Sequence, residues 1–188
     1  MPRLGGVTPP LLRFDSPQAL FAAIPHIRRL TALRPRVGEG NAGFLTRLRT
    51  SPTPEEAVTF AAFALSPAAA VCWGYECLRL MAEHLDPSER PMMERIAGWI
   101  AHPADRRRQD LLARALSSAT AGPSVQLGLA AGWSGGALAQ DDPREPEIWR
   151  CPEAVNNAVL GCLARAGVSR RSCYLSWFAD MSDSLIQV

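Results

Sequence analysis

The sequence predicts an all-α fold, a single-domain irregular helical bundle of about eight to nine helices. Three observations predict it. Alanine is the commonest residue and β-branched runs are almost absent. Apolar residues recur at helical spacing through most of the chain. Proline also stands one position after a capping residue repeatedly, at Ser16-Pro17, Thr53-Pro54, Ser66-Pro67 and Asp86-Pro87. Proline suits the first helical position because its missing N–H would be unpaired there anyway, while the preceding hydroxyl or carboxylate accepts from the open N–H groups of the first turn.

These starts, taken in order, place helices at 17–33 (bent or split at Pro25), 41–49, 54–64, 67–85, 88–101, 103–119, 123–133, 152–166 and 169–186. Thr53 with Glu56, and Asp86 with Glu89, have capping-box spacing. Helix 67–85 carries Ala70, Val71, Trp73, Gly74, Cys77, Leu78, Leu80 and Met81, a face broad enough for a central helix touched on more than one side. Helix 103–119 has a charged first half and an apolar stripe of Leu111, Leu112, Ala115 and Leu116, which suits the periphery. Pro91 requires either a helix starting near Ser88, with the proline in its first turn, or a kink. His102-Pro103, Gly122-Pro123 and Cys151-Pro152 repeat the proline placement more weakly. The separations between successive starts are irregular, which argues against a solenoid. Segments 34–40 and 134–150 are expected to be loops, and the second is long enough to be functional or disordered.

A chain of 188 residues suits one core. Residues 1–15 are expected to form a flexible N-terminal arm and 16–188 a single helical domain. All 20 basic residues are arginine. With no lysine, Schiff-base catalysis, a phosphate-loop lysine and a lysine general base are excluded. The net charge of +2 is uneven: residues 1–50 hold eight arginines against Asp15 and Glu39, a local +6, so the remainder sums to −4. Such a segment either faces an acidic partner (nucleic acid, anionic lipid or protein) or is a solvated arginine-rich face. The best apolar stretch, 60–74, is broken by Ser66, Pro67 and Gly74, so no membrane span is expected. Prolines and arginines interrupt the N-terminus where a signal peptide would need an apolar core, and the expected location is the cytoplasm. The five cysteines form no C-x-x-C pair and are expected as buried free thiols.

Few strings carry chemistry. Gly132-Trp133-Ser134-Gly135-Gly136 has the G-x-S-x-G form of a nucleophile elbow, but a helix precedes it where a strand is needed and no histidine follows. A helix C-terminus with left-handed glycines and Trp133 as anchor accounts for the same residues. Phosphate binding there would want a following helix N-terminus. Glu76, Cys77, Glu83 and His84 share the predicted central helix, where Cys77 with His84, or Glu76 with Glu83, could face one way. Two ligands do not make a metal site. The acidic run around Asp141 and Asp142 lacks the glycine and ligand spacing of a calcium loop. No cofactor or metal is expected. Trp73, Trp99 and Trp177 are expected in the core. Trp149, followed by Arg150, either anchors a partner or pins the loop to the helices.

Four segments, 66–80 (SPAAAVCWGYECLRL), 97–113 (AGWIAHPADRRRQDLLA), 127–139 (LGLAAGWSGGALA) and 154–163 (AVNNAVLGCL), carry a resemblance to a family of small alanine-rich bacterial proteins of unknown function. Some of its members are associated with type VI secretion gene neighbourhoods. The resemblance covers roughly residues 53–166 and implies a bacterial cytoplasmic protein with an accessory or assembly role beside secretion machinery. It supplies no catalytic residue.

The expectation is therefore a non-enzymatic protein-interaction module, an accessory, adaptor or chaperone-like component of a bacterial secretion system. Its contact residues would be Trp133, Ser134, Gly135, Gly136, Asp141, Asp142, Trp149 and Arg150. The alternatives are an enzyme with an acid/base site at Glu76, Glu83 and His84, and nucleic-acid binding through the N-terminal arginines.

Overall fold

The computed structural model describes residues 11–187. The predicted all-α bundle is what these residues form. The nine α-helices among them are α1 (Pro17–Ala23), α2 (Asn41–Arg49), α3 (Glu55–Ala64), α4 (Pro67–Leu80), α5 (Arg90–Ala101), α6 (Asp105–Leu116), α7 (Pro123–Gly132), α8 (Arg150–Leu163) and α9 (Val168–Ile186). A 3₁₀ turn at Pro25–Arg29 follows α1, so the first predicted helix splits at Pro25. Ser16 caps α1 by accepting from the Ala19 N–H at 3.2 Å.

Of the two predicted capping boxes, the one at Asp86 and Glu89 forms and the one at Thr53 and Glu56 does not. Thr53 donates its hydroxyl to Glu56 Oε1 at 2.8 Å, and the second oxygen of Glu56 accepts from the distant Leu33 N–H at 3.1 Å. Glu56 thus ties a loop to the helix instead of closing a capping box. Glu89 does reach back, accepting from the Asp86 N–H at 3.0 Å. Pro91 lies in the first turn of α5, behind a 3₁₀ turn at Pro87–Glu89, so no kink is needed.

Helix α3 is the innermost element: every residue from Glu56 to Leu65 is buried. It is surrounded by α1, α2, α4, α8 and α9, while α7 and α8 make the most extensive helix pair. Gly74 allows α4 to approach both, since a side chain there would meet Leu127 at 3.0 Å and Val155 at 3.1 Å. Two buried hydrogen bonds cross the core, Thr59 Oγ1 to Asn156 Oδ1 at 3.0 Å and Trp73 Nε1 to the Phe178 carbonyl at 3.1 Å. Each satisfies a polar group that would otherwise be costly to bury.

Three expectations are corrected. Trp177 is 51% exposed, its edge against Tyr174, and is not a core residue. The central helix stops at Leu80 and a 3₁₀ turn covers Ala82–His84, so positions 76 and 83, or 77 and 84, no longer share a helical face. Helix α6 is not simply peripheral, because Arg108 is buried within it. Of the segment expected as an arm, residues 1–10 lie outside the described residues. Residues 11–13 pair with the end of α3: the Arg13 N–H donates to the Ala64 carbonyl and the Ser66 N–H to the Leu11 carbonyl, each at 2.8 Å.

Candidate functional site

The site is built around the end of α7 and the segment 134–149. Arg108 occupies the same stripe as Leu111, Leu112 and Ala115, so the packing of α6 on α7 carries its guanidinium inward. There Nη1 donates to the Gly132 carbonyl at 2.6 Å, Nη2 donates to the Ala137 carbonyl, and Nε meets Asp105 Oδ1 at 3.1 Å. A helix leaves its last carbonyls without partners, and here a buried cation supplies them. Gly136, at φ +69°, turns the chain in the left-handed region beneath that guanidinium; a side chain would meet Arg108 Nη2 at 3.1 Å.

Beyond the glycines the loop folds on itself. Leu138 N–H donates to the Arg144 carbonyl at 2.9 Å, and Ala139 and Asp142 exchange backbone hydrogen bonds at 3.2 and 3.3 Å. Arg144 clamps the Asp142 carboxylate through Nε and Nη2 at 2.8 and 2.7 Å. Those side-chain hydrogen bonds, helped by the Arg144 N–H, lower the Asp142 pKa to about 2.

Between this turn and α6 lies an open cleft of about 620 Å³. Leu112, Leu116, Trp133 and Leu138 give it an apolar floor, with Arg106, Asp110, Gln140 and Asp141 at its edges. Leu116, the last residue of the predicted apolar stripe, is 64% exposed there.

The predicted contact residues separate into groups. Trp133, Asp141, Asp142 and Arg150 line the cleft. Ser134 does not present a nucleophile, because its hydroxyl donates to the Ala131 carbonyl at 2.7 Å within the helix end. Gly135 and Gly136 shape the turn. Trp149 is pinned: it stacks on His26 with ring centroids 4.5 Å apart and planes 10° apart, and His26 is held by Glu153 at 3.0 Å. Arg150 lies over both Trp133 and Trp149, at 5.4 and 5.8 Å from their ring centroids, and pairs with Glu147 at 3.1 Å.

Of the three acid/base candidates, Glu83 and His84 lie side by side, with His84 Nε2 3.8 Å from Glu83 Oε1, while Glu76 is engaged by Arg79 at 2.7 Å. Glu83 accepts from the Tyr174 hydroxyl at 2.8 Å, which draws its pKa down, and His84 packs its ring edge-on against Tyr174. Among the described residues no group of three or more histidine, cysteine or acidic side chains is placed to hold a metal ion. None of the described helices is long and apolar enough to cross a membrane.

A family model described as a family of unknown function, DUF6931, matches residues 44–185, which is 142 of the 188 residues. The chain belongs to the DUF6931 family. No curated protein and no solved structure matches it. The DUF6931 span runs from α2 into α9 and therefore contains the whole cleft and the Arg108 clamp.

Sequence reasoning found Trp133 and the loop but missed Arg108, Leu116 and the α6 wall. The available signal was periodicity: an arginine at 108 in register with 111, 112 and 115 sits on a buried stripe and needs a buried acceptor.

Proposed function

We propose that this DUF6931 protein is a non-enzymatic interaction module that binds a short helical segment of a partner protein in the cleft between α6 and the 138–142 turn. What supports this reading above all is a preformed apolar floor held open by a buried clamp. Arg108 fixes the end of α7 and the Ala137 carbonyl together, so little ordering is left for a ligand to impose. The exposed Leu116 beside Trp133 and Leu138 offers a seat for one row of apolar side chains at helical spacing. Arg106 and Asp141 at the edges would pair with the polar residues that flank such a row. The resemblance in residues 53–166 supports the setting we propose for the module, an accessory, adaptor or chaperone-like role beside a bacterial secretion machine, type VI among the candidates, in the cytoplasm.

A photo-crosslinking residue at position 113 or 138, in cells of the source bacterium, tests the reading. One protein should be captured from either position, should be lost with Leu116→Asp, and should not be captured from position 176 on α9. Equal capture from position 176, or capture indifferent to Leu116→Asp, would remove the cleft from the account.

A further inference from the structure

The positive charge of the leading segment collects at one place in the fold. Among the described residues Arg13, Arg28, Arg29, Arg34 and Arg36 have no carboxylate ion-paired to them, whereas Arg47 and Arg49 are matched by Glu39 at 2.8 Å and Asp180 at 2.5 Å. Residues 1–10 contain Arg3 and no carboxylate, so the head of the chain brings no countercharge. The later arginines are mostly paired, for example Arg79 with Glu76, Arg114 with Asp110 and Arg165 with Glu89.

Of these, Arg13, Arg28, Arg29 and Arg34 gather around the Pro25–Arg29 turn. Arg34 Nη2 donates to the Arg28 carbonyl at 2.9 Å, Arg28 Nε to the Phe21 carbonyl at 3.4 Å, and Arg13 Nη1 to the Ile148 carbonyl at 2.9 Å. A notch of about 420 Å³ opens at the turn, lined by His26, Arg28 and Arg29 on one side and by Ile148 and Trp149 on the other. Ile148 is 45% exposed. Among the described residues no carboxylate lines the notch, and Glu153 beside it is taken by His26. The notch therefore joins two guanidiniums that have no carboxylate partner to an exposed aliphatic side chain.

We propose that this notch is a second binding surface, separate from the α6 cleft, for an acidic segment of a partner protein in which carboxylates flank a large apolar side chain. Arg28 and Arg29 receive the carboxylates, for which a planar guanidinium is the matched two-pronged donor. Ile148 receives the apolar group, and the neighbouring Trp149 gives it a rigid wall. Single-stranded nucleic acid fits less well. Binding of that kind stacks bases on open aromatic rings, and Trp149 already stacks on His26 and carries Arg150 over its ring. The arginines that form the notch lie ahead of the span the family model matches.

Random peptides displayed on phage and selected on the full chain test the proposal, with fluorescence anisotropy of the enriched peptides beside an oligothymidine. Enriched peptides should combine Asp or Glu with Leu, Ile or Phe. They should bind the Arg28→Glu/Arg29→Glu protein roughly tenfold more weakly or worse, the Arg28→Gln/Arg29→Gln protein with a smaller loss, and the Leu116→Asp protein unchanged. Both arginines are exposed, so an unaltered melting curve should accompany the loss. Peptides lost only with Leu116→Asp belong to the α6 cleft and count for that reading alone. If every enriched peptide keeps its affinity for both double variants, the notch is not a binding surface. If the oligothymidine binds more tightly than any peptide and is lost with the same variants, the surface is for nucleic acid and the proposal is overturned.

Discussion

Arg108 donates through Nη1 to the Gly132 carbonyl at 2.6 Å, and the Cα of Gly132 packs against Leu112, one turn further along the same helix as Arg108. Helix α6 thus grips the end of α7 by a charge on one side and by close packing on the other. Each half of the grip can be removed separately.

Arg108→Met keeps most of the apolar stem and deletes the donors, which leaves the Gly132 carbonyl without a side-chain donor and the Ala137 carbonyl with only Gln109 Nε2 at 3.5 Å. Hydrogen bonds from charged groups are worth about 1.5–3 kcal/mol each, so the variant should lose roughly 3 kcal/mol in urea denaturation. A larger share of its amide exchange should occur through opening of the 134–142 turn. Unchanged stability would mean that the clamp contributes nothing net.

Gly132→Ala tests the packing half. Its new Cβ would lie 2.5 Å from Leu112 Cβ and 2.9 Å from Leu112 Cα, and a backbone atom cannot rotate away. Forced separation of two packed helices costs about 1–3 kcal/mol or more. Gly98→Ala in α5 is the control, because a Cβ there meets nothing within 4 Å. Replacing a helical glycine by alanine should stabilise by about 0.5–1 kcal/mol, so the two substitutions should move the melting temperature in opposite directions.

The contrast between these residues shows what was legible in the sequence. Helix starts that depend on local chemistry, such as Ser16-Pro17, could be seen because cap and helix are adjacent in the chain. The Ser134 string could be assigned to a helix end because a glycine at 136 in the left-handed region is a local requirement. Glu89 could be seen only as half of a capping box, since its other partners, Ser124 and Arg165, are 35 and 76 residues away. Trp177 was misplaced for a related reason: an aromatic on an amphipathic helix is buried only if a neighbouring helix covers that face. The cleft was half legible, because Trp133 and Asp141 belong to a conspicuous loop, whereas its other wall belongs to a helix whose partner was unknown.

Glu89 carries a pH dependence whose sign is definite. Burial alone would raise its pKa, but hydrogen bonds from Arg165 at 2.5 Å, the Ser124 N–H at 3.1 Å and the Asp86 N–H at 3.0 Å outweigh it and the folded-state pKa lies below the ordinary value. A carboxylate with a depressed folded pKa contributes stability that is complete above its unfolded pKa and disappears as pH falls through the folded value. Glu89→Gln should therefore be less stable than the parent at neutral pH, by about 1–3 kcal/mol. The gap in urea midpoint should narrow as pH drops below about 4. A gap independent of pH would assign the loss to shape and not to charge.

The five thiols should separate by reactivity, because the thiolate is the attacking species and burial suppresses it. Cys77, Cys151 and Cys162 are buried, and burial raises the pKa of Cys151 to about 12 and that of Cys162 to about 11. Cys77 is raised well above its ordinary value by the same cause. Cys72 is half-buried and its pKa is also raised, mainly by desolvation and then by the nearby Glu76. Cys173 is exposed on α9. A thiol-specific disulfide reagent at about pH 8 should accordingly titrate one thiol quickly, a second slowly, and the remaining three only on unfolding. Cys173→Ser should abolish the fast phase and leave the melting temperature unchanged. A fast phase surviving that substitution would place a second thiol in solvent, the half-buried Cys72 on α4 before any of the three buried ones.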